Sequence, residues 1–86
     1  PHLPPPPMSD LPPLPALPTG RYRHYKGQPY QVVDLCRHSE TQEVLVLYRQ
    51  LYGDGALWVR PYAMFVETVT IDGVPQPRFA YDPPTD

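Results

Sequence analysis

The stretch Tyr48–Phe65, YRQLYGDGALWVRPYAMF, decides how this chain folds. Tyr48, Tyr52, Trp58, Tyr62 and Phe65 crowd it, Arg49 and Arg60 flank its apolar runs, and Gly53-Asp54-Gly55 divides it. Glycine reaches positive φ without steric cost, so the triplet reads as a tight turn between two strands. Upstream, Glu43–Arg49 carries Val44, Val46 and Tyr48 on one face and Leu45, Leu47 and Arg49 on the other. A strand with one wet face would alternate apolar and polar, so this one is expected at the centre of a sheet, covered on both sides. A short apolar helix is the rival, and the β-branched content and the nearby turn favour the strand. Downstream, Ala56–Arg60 is the next strand. Pro61 breaks its ladder, and Tyr62–Phe65 suits a single helical turn with proline at its first position.

The same punctuation organises the rest. Gly20–Tyr25 reads as a first strand, Lys26–Pro29 as a turn, Tyr30–Arg37 as a second strand and His38–Gln42 as a polar loop. Val66–Ile71 alternates as a fifth strand. Asp72-Gly73 is a two-residue hairpin signal, Val74 begins a proline-limited return, and Arg78–Tyr81 is a short final strand. The fold class is therefore mainly β: a small SH3-like barrel of five or six short antiparallel strands with one helical turn.

The prolines set the domain limits. Nine of the fifteen fall within the first 18 residues, where no ladder can form, since proline lacks the N–H donor. Residues 1–19 are expected as a disordered, proline-rich leader that fluctuates around polyproline II, 20–82 as the folded domain and 83–86 as a loose tail. Met8-Ser9 reads as a plausible natural start, with Pro1–Pro7 outside it. A domain this small buries only about 60% of its unfolded surface, so a deep enclosed active site is not expected.

Within 20–82, seven basic residues balance seven acidic ones. A strong nucleic-acid binder carries a basic excess, so a peptide or protein partner is favoured over RNA. Cys36 is the single cysteine, which excludes an intrachain disulfide or a multi-cysteine zinc site. No apolar run reaches the roughly 18 residues that span a bilayer, and the leader lacks the pattern of a signal peptide. The expected location is a reducing cytoplasm.

The ordered strings HYKG (24–27), RHSET (37–41), YRQLYGDG (48–55), LWVRP (57–61), Met64-Phe65, Asp72-Gly73 and PRF (77–79), with Tyr30 between the first two, closely resemble one family of short bacterial proteins. That family is known as domain of unknown function sixteen fifty-three, and the resemblance spans roughly Gly20–Tyr81. It implies a small intracellular bacterial protein and carries over no catalytic residues.

Three readings of function follow from the residues. The first is a non-catalytic binding module. Arg21, Tyr25, Arg49, Tyr52, Trp58, Arg60 and Tyr62 combine aromatic platforms with guanidinium groups, the chemistry that holds peptides or single-stranded nucleic acid. Trp58 and Arg60, two residues apart on one strand face, are the leading ligand-facing pair. The competing reading makes the rings core and pairs the arginines with surface carboxylates. The second is a small hydrolase or metal enzyme built on His24, His38 and Glu40. No ligand spacing supports it, and adjacent residues such as His38 and Ser39 point apart on an extended chain. Neither a metal nor a cofactor is expected. Cys36 in its apolar strand reads as a small buried side chain. The third is a regulatory homodimer with Val44–Tyr48 at or near the interface, so the expected state is monomer or weak homodimer.

Overall fold

Gly20 marks the point where the prolines stop and the hydrogen-bonded ladder starts. The computed structural model describes residues 12–84. The first part of the expected leader, with the Met8-Ser9 start, and the last two residues of the tail lie outside the described residues. Seven strands form, β1 (Gly20–His24), β2 (Pro29–Arg37), β3 (Val44–Gln50), β4 (Leu57–Pro61), β5 (Thr68–Ile71), β6 (Val74–Pro77) and β7 (Phe79–Tyr81), with one helical turn, α1 (Tyr62–Phe65), after β4. The helical turn falls where the sequence puts it. The strand count exceeds the expected five or six because Val74–Pro77, limited by two prolines, still pairs with β5 over four residues.

The chain is mainly β and its sheets are antiparallel. β1, β2, β3, β4 and β7 form one sheet in the order β4-β3-β2-β1-β7, and β5-β6 stand apart as a hairpin. The ladder does not close into a barrel among the described residues: β4 pairs only with β3, and β7 only with β1. Asp72 and Gly73 both take positive φ, 51° and 79°, as a two-residue hairpin with primed geometry requires.

β3 is central, as its sequence predicts, but its two faces are not equally covered. Directly opposed residues of an antiparallel pair point to the same side. The register Val46↔Arg60, Tyr48↔Trp58 and Val32↔Tyr48 puts these side chains on the concave face, while Leu45, Leu47, Val59 and Leu57 share the convex one. Val46 is fully buried, whereas Leu45 and Leu47 are half-buried and Val59 is exposed. No element among the described residues layers onto the convex face, so the expected two-sided cover is one-sided. A bulge between Val32 and Asp34 adds to this by leaving Val33 exposed.

The core lies on the concave side. Tyr22, Val32, Val46, Tyr48, Phe65 and Phe79 are buried, drawn from β1, β2, β3, α1 and β7. Phe65 reaches in from α1 and stacks on Phe79, ring centres 4.1 Å apart and planes 2° from parallel. Tyr22 and Tyr48 meet the Phe65 ring edge-on at 5.5 and 5.6 Å. Four rings thus fill a space that aliphatic side chains could not span in a domain this small. The described end of the leader touches the same core: Leu17 packs against it, Tyr22 Oη donates to the Pro18 carbonyl at 2.7 Å, and Arg37 donates to the Pro12 carbonyl.

Candidate functional site: an aromatic strip around Arg60

The concave face is wet at one end, where β3 turns into β4. Arg60 projects onto the same face from the other end of β4, just before α1, because it sits opposite Val46 near the start of β3. Its Nε lies 3.4 Å from Tyr48 Oη, and its guanidinium carbon lies 5.6 Å from the centre of the Phe79 ring. Among the described residues the ion pairs are Arg21 and Arg23 with Asp82, and Arg78 with Glu67, so no carboxylate neutralises Arg60. A guanidinium over an aromatic face, without an acidic neighbour, is a ready partner for an anionic group.

Rings and amides extend the surface to either side. Trp58 is half exposed, and its Nε1 donates to Gln50 Oε1 at 2.8 Å. Gln50 Nε2 in turn donates to Asp54 Oδ1 at 3.0 Å, which fixes the β3–β4 turn beneath the indole. Tyr52 projects from that turn, its hydroxyl 2.6 Å from that of Tyr30, and the turn is anchored where Leu51 N–H donates to the Pro29 carbonyl at 3.1 Å. Tyr30 meets Tyr48, Tyr52 and Phe79 edge-on. His24 then packs against Phe79 at 4.9 Å and Tyr25 at 4.5 Å, with Lys26 Nζ 5.8 Å from the Tyr25 ring centre. A continuous strip therefore runs Trp58, Gln50, Tyr52, Tyr30, His24, Tyr25, with Arg60 at its centre.

The protonation states suit recognition. Burial, then the hydrogen bond with Tyr52, pushes the Tyr30 phenol up to about 12, so it keeps its proton. Burial, followed by the positive charges of Lys26, Arg60 and Arg78, lowers His24. His24 Nδ1 accepts from Lys26 N–H at 3.2 Å, as the neutral ring can. The unfolded chain binds this proton near 6.5 and the folded chain at lower pH. Stability should therefore fall as pH drops below about 6.5, where the unfolded state binds more protons. The His24 ring-proton NMR titration should have its midpoint below that of a free histidine, and His24→Gln should flatten the acid limb of melting temperature against pH; a midpoint at or above the free value would contradict the arrangement.

The expected site residues divide. Tyr25, Tyr52, Trp58 and Arg60 come together on this strip. Arg21 and Arg49 lie on the convex face, in one row with Gln31 and Leu57. Arg21 Nε is held by the Asp82 carbonyl at 2.9 Å, and Arg49 by the Gly55 carbonyl at 2.7 Å. Tyr62 packs against the core from α1. Gln50, Tyr30 and Phe79 were not singled out by sequence. Gln50 carried a legible signal, since it is polar at the position that continues the buried alternation Val46, Tyr48.

His24, His38 and Glu40 are not brought together. His24 lies beside the start of β2 and His38 just past its end, roughly 30 Å apart along the strand at about 3.3 Å per residue. No cluster of three or more metal-binding side chains occurs among the described residues. His38 Nδ1 instead accepts from the Glu40 and Thr41 amides at 3.1 and 3.3 Å, which caps its loop. His38→Ala should cost on the order of 1 kcal/mol of stability, read by urea denaturation, and a neutral substitution would show the cap to be idle. No helix among the described residues is long and apolar enough to cross a membrane.

Comparison with known proteins identifies this architecture. The family model described as Protein of unknown function (DUF1653) matches residues 20–81, the span from β1 to the end of β7. The chain belongs to this family. The crystal structure of a DUF1653 protein from Bordetella bronchiseptica is 40% identical to it and superposes with a TM-score of 0.73 over 81% of this chain and 92% of that one. No curated protein matches. The DUF1653 description assigns no activity, so a reading of function rests on the strip itself.

Proposed function

We propose that this DUF1653 protein is a non-catalytic, SH3-like binding module of the bacterial cytoplasm that holds an extended peptide segment of a partner protein on the aromatic strip. The observation that carries this reading is Arg60, a cation set among Tyr48, Phe79 and Trp58 with no carboxylate partner among the described residues. The rings accept proline or other apolar side chains, and Arg60 accepts an acidic side chain or a terminal carboxylate. The strand order β4-β3-β2-β1-β7, with a helical turn after β4, supports the SH3-like assignment for a sheet that curls around its core without closing. The charge balance of the folded part favours a peptide over RNA. The free Cys36 fits a reducing compartment.

Proton–nitrogen chemical-shift titrations with synthetic proline-rich acidic peptides, run beside a short single-stranded oligouridylate, test the reading. The expected result is saturable shifts at the Trp58 indole N–H, Tyr52 and the Arg60 side chain with the peptides. A response to the oligonucleotide alone would move the assignment to nucleic acid, and silence of these signals with every probe would remove it.

A further inference from the structure

β4 is an edge strand whose outer side pairs with no other strand among the described residues. The Gln50 N–H donates to the Ala56 carbonyl at 3.1 Å, which fixes the phase of the β3–β4 ladder. Hydrogen-bonded and non-hydrogen-bonded pairs alternate along an antiparallel ladder, so Trp58 and Arg60 turn their backbone groups toward β3. Leu57 and Val59 turn theirs to the open edge. The side chains along this edge are exposed on both faces of the sheet: Leu57 at 49%, Trp58 at 52% and Val59 at 55%. Edge strands are ordinarily blunted by charge, proline or a bulge. The other edge of the sheet is blunted: Asp82, paired with Arg21 and Arg23, follows β7 and leads into Pro83-Pro84. Leu57-Trp58-Val59 has no such device; Arg60 and Pro61, which follow in β4, confine the open edge to these three residues.

We propose that a second copy of this chain occupies the edge, β4 against β4, antiparallel about a two-fold axis at Trp58. Leu57 of one copy then faces Val59 of the other, and the two pairs exchange four backbone hydrogen bonds. Trp58 faces its own counterpart as the close, non-hydrogen-bonded pair on the concave side. Leu57 and Val59 of both copies join into one apolar patch on the convex side, and the two five-stranded sheets become continuous. Charge is complementary as well. Asp54 precedes β4 and Arg60 is its penultimate residue, and neither has an ion-pair partner within its chain among the described residues. Antiparallel pairing sets each Arg60 opposite the other copy's Ala56, two residues from its Asp54. A contact of one strand on one strand is smaller than the roughly 800 Å² per partner of a standard interface, so the dimer is a weak, concentration-dependent one. This inference does not rest on the peptide reading.

Sedimentation velocity from about 10 μM to about 1 mM, the range of so small an interface, should show monomer converting to dimer. Val59→Lys puts a charge on an exposed position and should abolish the conversion without changing the circular dichroism spectrum. In a Cys36→Ser background, Trp58→Cys should crosslink two chains on oxidation, whereas Leu57→Cys, two residues out of register with its own counterpart, should not. A chain that stays monomeric throughout overturns the proposal. So does a dimer indifferent to Val59→Lys, or one that crosslinks through Leu57→Cys in place of Trp58→Cys.

Discussion

Replacing Phe65 with alanine should unfold the domain at ambient temperature. Phe65 is 1% exposed, and its ring touches Tyr22, Tyr48 and Phe79. Removing a buried phenylalanine costs about 3–5 kcal/mol, from lost transfer free energy and from the cavity left behind. A domain of this size has a total stability near the low end of about 5–15 kcal/mol. The substitution therefore takes most or all of it. The cavity cannot collapse readily, because its walls come from β1, β3 and β7 and move only if the sheet uncurls. Urea denaturation followed by near-ultraviolet circular dichroism should show little or no native baseline. The neighbouring Met64 is exposed, so Met64→Ala should stay within about 0.5 kcal/mol of the parent. A Phe65→Ala variant that melts within a few degrees of the parent would mean that α1 is not the plug of the core.

Arg60→Ala should leave the domain folded and remove most of its affinity for any peptide that titrates the strip. The internal contacts of Arg60 are weak: a 3.4 Å approach to Tyr48 Oη and a cation over the Phe79 ring, the latter worth about 0.5–1 kcal/mol at an exposed site. An arginine that anchors an interface costs about 2 kcal/mol or more on truncation, roughly thirtyfold in Kd. Calorimetric titration of both proteins with the same peptide, beside their thermal melts, separates the two effects. Arg60→Lys should recover part of the affinity, since charge returns without the planar donor fork. Equal binding by Arg60→Ala and the parent would place the ligand elsewhere on the protein.

The parts of this fold that could be read in advance are those set by neighbouring residues. Asp72-Gly73 announces its hairpin because few residue pairs tolerate two positive φ angles in succession. Tyr62–Phe65 announces its helical turn because Pro61 ends the ladder. What could not be read was which arginine would face the core. Arg49 and Arg60 both stand among the binding residues expected from sequence, with Arg60 beside Trp58 in the leading pair. They part because the Gly53-Asp54-Gly55 turn sets the register Arg49↔Leu57 and Val46↔Arg60, and a turn one residue different would exchange the two faces. The same limit hid the aromatic strip, whose residues Trp58, Tyr30 and His24 meet only across three ladders. It also made His24, His38 and Glu40 a plausible set until the length of β2 separated them.

The β5–β6 hairpin leaves the domain at Glu67 and returns at Arg78, where the Arg78 N–H donates to the Glu67 carbonyl at 2.9 Å and the side chains pair at 2.6 Å. The two chain ends are thus clasped independently of what hangs beyond Thr68 and Pro77. Enlarging a closed loop costs only about 0.6 kcal/mol for each doubling of its length. The tip at Asp72-Gly73 is therefore a natural graft point, a socket where a foreign segment could be displayed while the rings of the core and the open edge of β4 stay as they are.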